Sequence, residues 1–201
     1  MRTRKSECGS SIIFLDVETT GFSPQTCDII EIGAWLFEDG VVTEQFQRRI
    51  KPEKYVPIEV QRLTGITNEM LEGCEPIDHV LPEFCDFCDG ADIGGYNVDF
   101  DYRFLSYKAR LLGFDFTMNG LRRGIDVLKC VKATFPGLSD YKLGHVAQYL
   151  GIPTEADKLH TAGYDAYITK LVYDRCKQVL PEMLDKTKYG KPIITDTLDF
   201  E

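Results

Sequence analysis

Two carboxylates at the end of an apolar run are the best candidates for chemistry in this sequence. Residues 11–21 read SIIFLDVETTG, and the branched apolar residues predict a strand buried on both faces. Asp16 and Glu18 are two positions apart, so on a strand they point to the same face. Burying two like charges without a partner is costly, which favours a cation between them. Oxygen ligands favour Mg²⁺ or Mn²⁺ over Zn²⁺. The alternative interpretation is a plain strand end that runs into a Thr-Thr-Gly turn.

Three further side chains have the chemistry and the positions to join this pair. Asp101 falls on the apolar stripe of a predicted helix, whereas Asp99 falls on another side and suits the helix macrodipole. His160 and Asp165 come at the start of a long helix predicted over 161–180. Five positions along a continuous helix correspond to ~500° of rotation, so the two would not share a face. Both can serve one site only if His160 lies on the loop before the helix.

The elements predicted around these residues form an α/β domain. Strands are predicted at 12–17, 29–37, 41–50 and 92–96, and the first three form an antiparallel meander because their connections are short. Asn97 is placed to cap the helix that follows the fourth strand. Helical spacing predicts further helices at 58–63, 67–71, 80–88, 125–135, 141–150 and 161–180.

Length and composition predict one ordinary globular domain. The chain has 201 residues, of which 43% are hydrophobic and 27% are charged. We assign residues 11–180 to the domain, 1–10 to a flexible N-terminus and 181–201 to a C-terminal tail. No apolar run approaches the ~20 residues that span a bilayer, and the odd number of cysteines suits a reducing compartment. These features predict a cytoplasmic protein without membrane contact.

The net charge of -9 limits the mode of any nucleic-acid binding. Broad, sequence-independent adhesion to nucleic acid favours a basic surface, which this composition does not supply. A nuclease that grips only the end of a strand needs few phosphate contacts, and bound metal ions would add local positive charge. The charge therefore leaves an end-specific nuclease open.

Four short motifs, in order along the chain, carry a family resemblance. Residues 16–21 (DVETTG), 63–67 (LTGIT), 97–105 (NVDFDYRFL) and 160–166 (HTAGYDA) are similar to the DxETTG, LTGIT, NxxFDxxFL and HxAxxDA motifs of one family. The sequence resembles the histidine-bearing branch of the DEDD exonucleases (DEDDh, DnaQ-like), the family of the proofreading epsilon subunit of DNA polymerase III. The second of the catalytic motifs selects Asp101 as the ligand. Its one visible departure is Tyr96, where many members have histidine.

The resemblance implies both a fold and a mechanism. The implied fold is ribonuclease H-like, with a mixed central sheet led by the three-stranded meander and flanked by helices. The implied activity is removal of nucleoside monophosphates from the 3′ end of DNA with two Mg²⁺ or Mn²⁺ ions, which clamp the attacking and leaving oxygens. The metal ligands would be Asp16, Glu18, Asp101 and Asp165. His160 would be the general base, since imidazole exchanges protons near neutral pH.

Five residues are expected to contact the end of the substrate strand. We place the main chain of Thr19 at the terminal sugar and the side chains of Phe22 and Leu63 on either side of the last base. Apolar contact of this kind tolerates any base, as an exonuclease requires. Phe22 could equally be a loop residue that covers the core. Thr64 and Asn97, which lie in the motifs of the resemblance, complete the set.

Two other functions are compatible with the same motifs. An RNA-trimming exonuclease, such as an oligoribonuclease or ribonuclease T, would use the same metals, because they act on the phosphodiester whatever the sugar. A non-catalytic module that docks on a polymerase would account for the acidic charge and the tail. The expected partners are therefore a nucleic-acid 3′ end, with DNA favoured over RNA, and a DNA polymerase subunit.

Overall fold

Six strands form one mixed sheet in the part of the chain that is described. The computed structural model describes residues 11–88, 91–113, 116, 124–155, 158–179 and 194–195. The strands are β1 (Ser11–Thr19), β2 (Ile29–Glu38), β3 (Val41–Arg49), β4 (Asp92–Gly95), β5 (Gly124–Asp126) and β6 (Ile194–Thr195). Their order across the sheet is β3-β2-β1-β4-β5-β6. β4 and β5 run parallel to β1, so the carboxyl ends of these three strands meet at one edge.

The predicted antiparallel meander is confirmed. β1 pairs with β2 and β2 with β3, both antiparallel. The hairpin between β2 and β3 turns at Asp39 and Gly40, whose φ angles of 50° and 82° suit the tight turn that Asp-Gly favours. β3 lies at the sheet edge. Of its nine residues, Phe46 is buried and the other eight are exposed. The interior of the sheet therefore starts at β2.

Helices cover both faces of this sheet. They are α1 (Ile58–Thr64), α2 (Asn68–Leu71), α3 (Ile77–Cys88), α4 (Val98–Leu111), α5 (Val127–Thr134), α6 (Leu143–Tyr149) and α7 (Ala162–Val179). Alternate residues of β1 serve the two faces, as a strand requires. Ile13 and Leu15 pack in a buried cluster with α3 and α4, and Phe14 packs in a second cluster with α5, α6 and α7. β1 is thus the central strand that the apolar run predicted.

Two local predictions need correction. The helix predicted from residue 125 is wrong at its start, because Ile125 and Asp126 belong to β5 and the helix begins at Val127. A strand of three residues is too short to show an alternating pattern. Asn97 does precede α4, but its side chain makes no capping hydrogen bond. Its φ of 65° shows that the position instead requires a left-handed residue, which asparagine tolerates.

Of the two chain ends, the structure describes only residues 194–195. Ile194 and Thr195, within the predicted tail, pair antiparallel with β5 and extend the sheet by one strand. The other residues of the predicted tail from 181 onward, and the predicted flexible segment 1–10, lie outside the described residues. Of the helices that are described, none has the length and apolar character needed to cross a membrane.

Candidate active site

Three of the predicted carboxylates meet at the carboxyl end of β1. Asp16, Glu18 and Asp165 each place one oxygen within 4.8 Å of the others. Asp101 is buried beside them, and its Oδ1 accepts a hydrogen bond of 2.9 Å from the backbone N–H of Val17. This bond joins α4 to β1 between the two β1 carboxylates. The geometry therefore brings together four acidic residues from three segments that lie far apart in the sequence.

The start of α7 supplies Asp165 and, just before the helix, His160. Asp165 lies in the first turn of α7, and its Oδ2 accepts a hydrogen bond of 3.3 Å from the backbone N–H of His160. His160 is exposed on the preceding turn with a φ of 65°. The five-residue spacing required this placement, because the two side chains could not share a helix face. Asp165 Oδ1 is buried and has no hydrogen-bond partner.

Burial raises the pKa values of all four carboxylates. Burial, with added repulsion from Asp101 and Glu18, raises the pKa of Asp16 well above its ordinary value. Burial and the charge of Asp165 raise the pKa of Glu18 to about 8. Burial raises the pKa of Asp101 to about 8, and that of Asp165 to about 6. Without a cation this cluster holds protons near neutral pH.

The donor set fits a hard divalent cation. All its ligand atoms are carboxylate oxygens, the class that Mg²⁺ and Mn²⁺ prefer. Asp165 also has a buried oxygen, Oδ1, without a hydrogen-bond partner. A cation would also favour the ionised forms of these carboxylates and so oppose the burial and repulsion that raise their pKa values. Asp16, Glu18 and Asp165 are the residues within mutual reach, and Asp101 lies against the same stretch of β1.

The metal-free protein is expected to become less stable as the pH rises. Carboxyl groups have pKa values of about 4 in unfolded chains, whereas Glu18 and Asp101 titrate at about 8 in the folded protein. Between about pH 4 and pH 8 the folded state therefore binds more protons than the unfolded state, and this stabilisation is lost progressively over that range as the pH rises. We expect the melting temperature in chelator to fall between pH 5.5 and pH 8.5, and Mn²⁺ to restore it at the higher pH. A flat profile in chelator would contradict the raised pKa values of Glu18 and Asp101.

Phe22 and Leu63 both present apolar side chains to solvent. Phe22 is 93% exposed in the loop after β1, and Leu63 is 59% exposed near the end of α1. Because Phe22 is almost fully exposed, it does not cover the core, which removes the alternative interpretation of this residue. Its role in binding a base stays a prediction.

The other three residues predicted to contact the substrate are Thr19, Thr64 and Asn97. The Thr19 hydroxyl donates to the Gly21 carbonyl at 2.6 Å. Thr64 is buried, and its hydroxyl donates to the Val60 carbonyl at 2.9 Å. Asn97 is exposed at the amino end of α4. The side chains of Thr19 and Thr64 therefore support the local chain, and contact with a substrate through these three residues stays a prediction.

Glu31 is a buried acid of the site that the motifs did not indicate. It lies on β2 directly opposite Glu18 and is 1% exposed, and its charge contributes to the raised pKa values of Asp16 and Glu18. Its Oε2 accepts a hydrogen bond of 2.9 Å from the backbone N–H of Ala162. The signal in the sequence was a charged residue within an apolar strand.

Tyr96, the departure from the family pattern, has a packing role. Its hydroxyl donates a hydrogen bond of 2.5 Å to the carbonyl of Tyr141, and its ring packs in the cluster between the sheet and α5, α6 and α7. The tyrosine therefore ties the end of β4 to the segment before α6.

The fold and the site together define an α/β nuclease domain with an acidic centre for divalent metal ions. The family model RNase_T, described as "Exonuclease", matches residues 13–173. The chain belongs to this exonuclease family. Domains of this kind use divalent metal ions, in agreement with the acidic cluster.

The curated relatives include proteins named as DNA polymerase III or its epsilon subunit and one named as a 3'-5' exonuclease. The chain is 35% identical to "3'-5' exonuclease DinG" of Bacillus subtilis over 80% of its own length and 17% of the relative's. It is 33% identical to "DNA polymerase III PolC-type" of Thermotoga maritima over 95% of its length and 14% of the relative's. It is 32% identical to "DNA polymerase III subunit epsilon" of Aquifex aeolicus over 86% of its length and 83% of the relative's. The chain thus spans less than a fifth of the first two relatives and most of the third.

Solved structures confirm the predicted ribonuclease H-like fold. Escherichia coli exonuclease I in complex with a dT13 oligonucleotide has a TM-score of 0.77 at 20% identity, over 90% of this chain and 45% of that one. Exonuclease X in complex with 5′ overhanging duplex DNA has a TM-score of 0.64 at 20% identity, over 83% and 91%. At this level of identity the likeness concerns the fold.

Proposed function

We propose that this chain is a 3′-5′ exonuclease that releases nucleoside monophosphates from the 3′ end of DNA. The observation that carries the proposal is the meeting of Asp16, Glu18 and Asp165 at the end of β1, with Asp101 and His160 beside them. The names of the B. subtilis and A. aeolicus relatives support this substrate and this polarity.

The four carboxylates are proposed to hold two Mg²⁺ or Mn²⁺ ions. When bound, the ions would supply the positive charge that orients and stabilises the phosphodiester during in-line displacement. Asp16, Glu18 and Asp165 would be the nearest ligands because their oxygens already converge. Asp101 would complete the set from α4, where its bond to Val17 fixes the carboxylate against β1.

His160 is proposed to take the proton of the attacking water. Its side chain is exposed on the turn before α7, where a substrate could reach it. The bond between its backbone N–H and Asp165 Oδ2 links the position of the base to that of a metal ligand. General bases of this kind contribute about 10²- to 10⁴-fold in rate.

Phe22→Ala is expected to weaken substrate binding without affecting folding. Base stacking on an aromatic side chain is worth about 1–3 kcal/mol, so KM for a single strand should rise about tenfold while kcat and the melting temperature stay unchanged. Val41→Ala is the control, since Val41 is also an exposed apolar residue but pairs with Glu38 at the opposite end of the sheet strands. Unchanged affinity in Phe22→Ala would refute the contact.

Thr19, Leu63, Thr64 and Asn97 are proposed as the remaining contacts with the terminal nucleotide. Thr19 would act through its main chain, because its hydroxyl is bonded to Gly21. Leu63 would pack on the face of the base opposite Phe22.

The epsilon and PolC-type relatives further support a DNA polymerase subunit as a protein partner. A cytoplasmic location stays a prediction.

The deciding experiment is digestion of a 5′-labelled single strand, as DNA and as RNA, with Mg²⁺, Mn²⁺ or chelator. We expect a metal-dependent ladder that shortens from the 3′ end, is abolished in Asp101→Ala and is slowed about 10²-fold or more in His160→Ala. Faster digestion of RNA would favour the RNA-trimming function. Absence of a ladder from folded protein with metal would favour the non-catalytic polymerase-docking module.

A further inference from the structure

The amino end of α7 is tied to β2 by a hydrogen bond from its first backbone N–H. Thr161 precedes the helix, but its hydroxyl donates to the Lys158 carbonyl at 2.7 Å. The first backbone N–H of the helix, that of Ala162, donates instead to Glu31 Oε2 at 2.9 Å. A carboxylate at this position also interacts favourably with the positive end of the helix dipole. Glu31 therefore does from a distant strand what a capping side chain does locally.

Other contacts hold Glu31 and α7 in place. Glu31 Oε1 lies 3.4 Å from the donor Gln47 Nε2 and 3.6 Å from Arg49 Nε, both on β3. Trp35, also on β2, donates its indole N–H to the Gly163 carbonyl at 2.7 Å. Both oxygens of Glu31 are thus occupied by groups other than the acidic cluster. This arrangement fits a supporting role better than that of a metal ligand.

The register of β1 and β2 connects this contact to the site. Glu31 pairs with Glu18, and Asp16 pairs with Gly33, so one strand segment lies beside both β1 carboxylates. The same segment binds the first turn of α7, which carries Asp165. We propose that Glu31 is a positioning residue whose buried carboxylate caps α7 and fixes Asp165 and His160 against Asp16 and Glu18. This inference rests on the proposed exonuclease function of the same site.

Two substitutions separate the hydrogen bond from the charge. Glu31→Ala removes the acceptor for the Ala162 N–H, and we expect kcat on a 5′-labelled DNA strand with Mn²⁺ to fall about 10- to 100-fold with KM for DNA unchanged. Glu31→Gln keeps an acceptor oxygen, so kcat should stay within about threefold of the wild-type value. An equal loss in both variants would overturn the capping role, because the charge would then carry the effect.

Amide hydrogen exchange gives a measure that does not depend on activity. In Glu31→Ala the Ala162 amide should exchange at least about tenfold faster, whereas Glu31→Gln should keep its protection. Val80→Ala is the control, because it removes packing in the cluster with α3 and α4, away from α7. At a matched loss of melting temperature it should leave kcat and Ala162 exchange unchanged. If Val80→Ala lowers kcat as much as Glu31→Ala, the role is general stability and the proposal fails.

The outcomes also distinguish the inference from the proposed function. If the wild-type protein yields no ladder, the exonuclease proposal fails. The hydrogen bond from Ala162 to Glu31 is still established if the Ala162 amide exchanges more slowly in the wild type than in Glu31→Ala. If Asp101→Ala abolishes cleavage while Glu31→Ala retains full kcat, the function stands and the positioning role is overturned.

Discussion

Asp16→Asn is expected to abolish cleavage and, at the same time, to raise the melting temperature of the metal-free protein at pH 8. Asparagine keeps the shape of the side chain but cannot ionise, so it removes the cost that burial and the charges of Asp101 and Glu18 impose on this carboxyl group. Because 1 kcal/mol moves the melting temperature of a domain of this size by about 2–4 °C, relief of this cost should be measurable as a higher melting temperature.

The loss of activity in this variant should be about 10³-fold or greater. A metal ion supplies several kcal/mol of transition-state stabilisation, and each 1.36 kcal/mol is a factor of about ten in rate. Asp16 is one of the three carboxylates that converge, so its removal should weaken metal binding directly.

Thermal unfolding in chelator and in Mn²⁺, together with strand digestion, tests both parts of this prediction. Glu38→Gln is the control, since Glu38 is an exposed acid at the other end of the sheet, where it pairs with Ser11. It should leave activity and melting temperature unchanged. A lower melting temperature for Asp16→Asn in chelator would contradict the repulsion, and retained cleavage would contradict the site.

A substitution that raises stability but abolishes activity is the result expected at a functional site. Four mutually repelling carboxylates at the end of a buried strand destabilise the metal-free fold, and packing cannot account for their presence. Binding of a cation offsets this destabilisation, because the cation favours the ionised forms of the carboxylates. The acidic cluster is therefore best understood as a preformed site whose stability depends on its ligand.

The acidic residues could be predicted because simple periodicities fix their directions. Residues two apart on a strand share a face, which placed Asp16 and Glu18 together. Helical spacing separated Asp101 from Asp99, and the structure confirms this difference. Asp101 is buried and bonded to Val17, whereas Asp99 forms an ion pair of 3.4 Å with Lys129.

The supporting contacts could not be predicted, because they join segments that are distant in sequence. Glu31 and Ala162 are 131 positions apart, and no local pattern links them. β5 is three residues long, and its pairing with β6 comes from a segment near residue 194, so neither strand has a period to detect. The left-handed backbone of His160 is likewise set by the turn that leads into α7 and not by the intrinsic preference of histidine.

Gly33→Ala is expected to reduce both stability and activity, and to do so more than any other substitution that adds one methyl group on β2. A Cβ at Gly33 would lie 2.0 Å from the backbone nitrogen of Gly163 and 2.3 Å from the carbonyl carbon of Ala162. Both are backbone atoms, so the start of α7 must move away from the sheet. Overpacking of this kind costs about 3 kcal/mol or more, which corresponds to a fall of about 6–12 °C in melting temperature.

The displacement in Gly33→Ala should also misplace Asp165 and His160, because α7 and the turn before it carry them. A shift of about 1 Å at a catalytic group costs about 10²-fold, so we expect kcat to fall by this factor even below the melting temperature. Gly73→Ala is the matched control, since a Cβ there meets no atom within 4 Å. Gly163→Ala should be intermediate, because the three atoms nearest to its Cβ all belong to the side-chain end of Gln47. If Gly33→Ala behaves like Gly73→Ala in unfolding and digestion, α7 does not depend on close contact with β2.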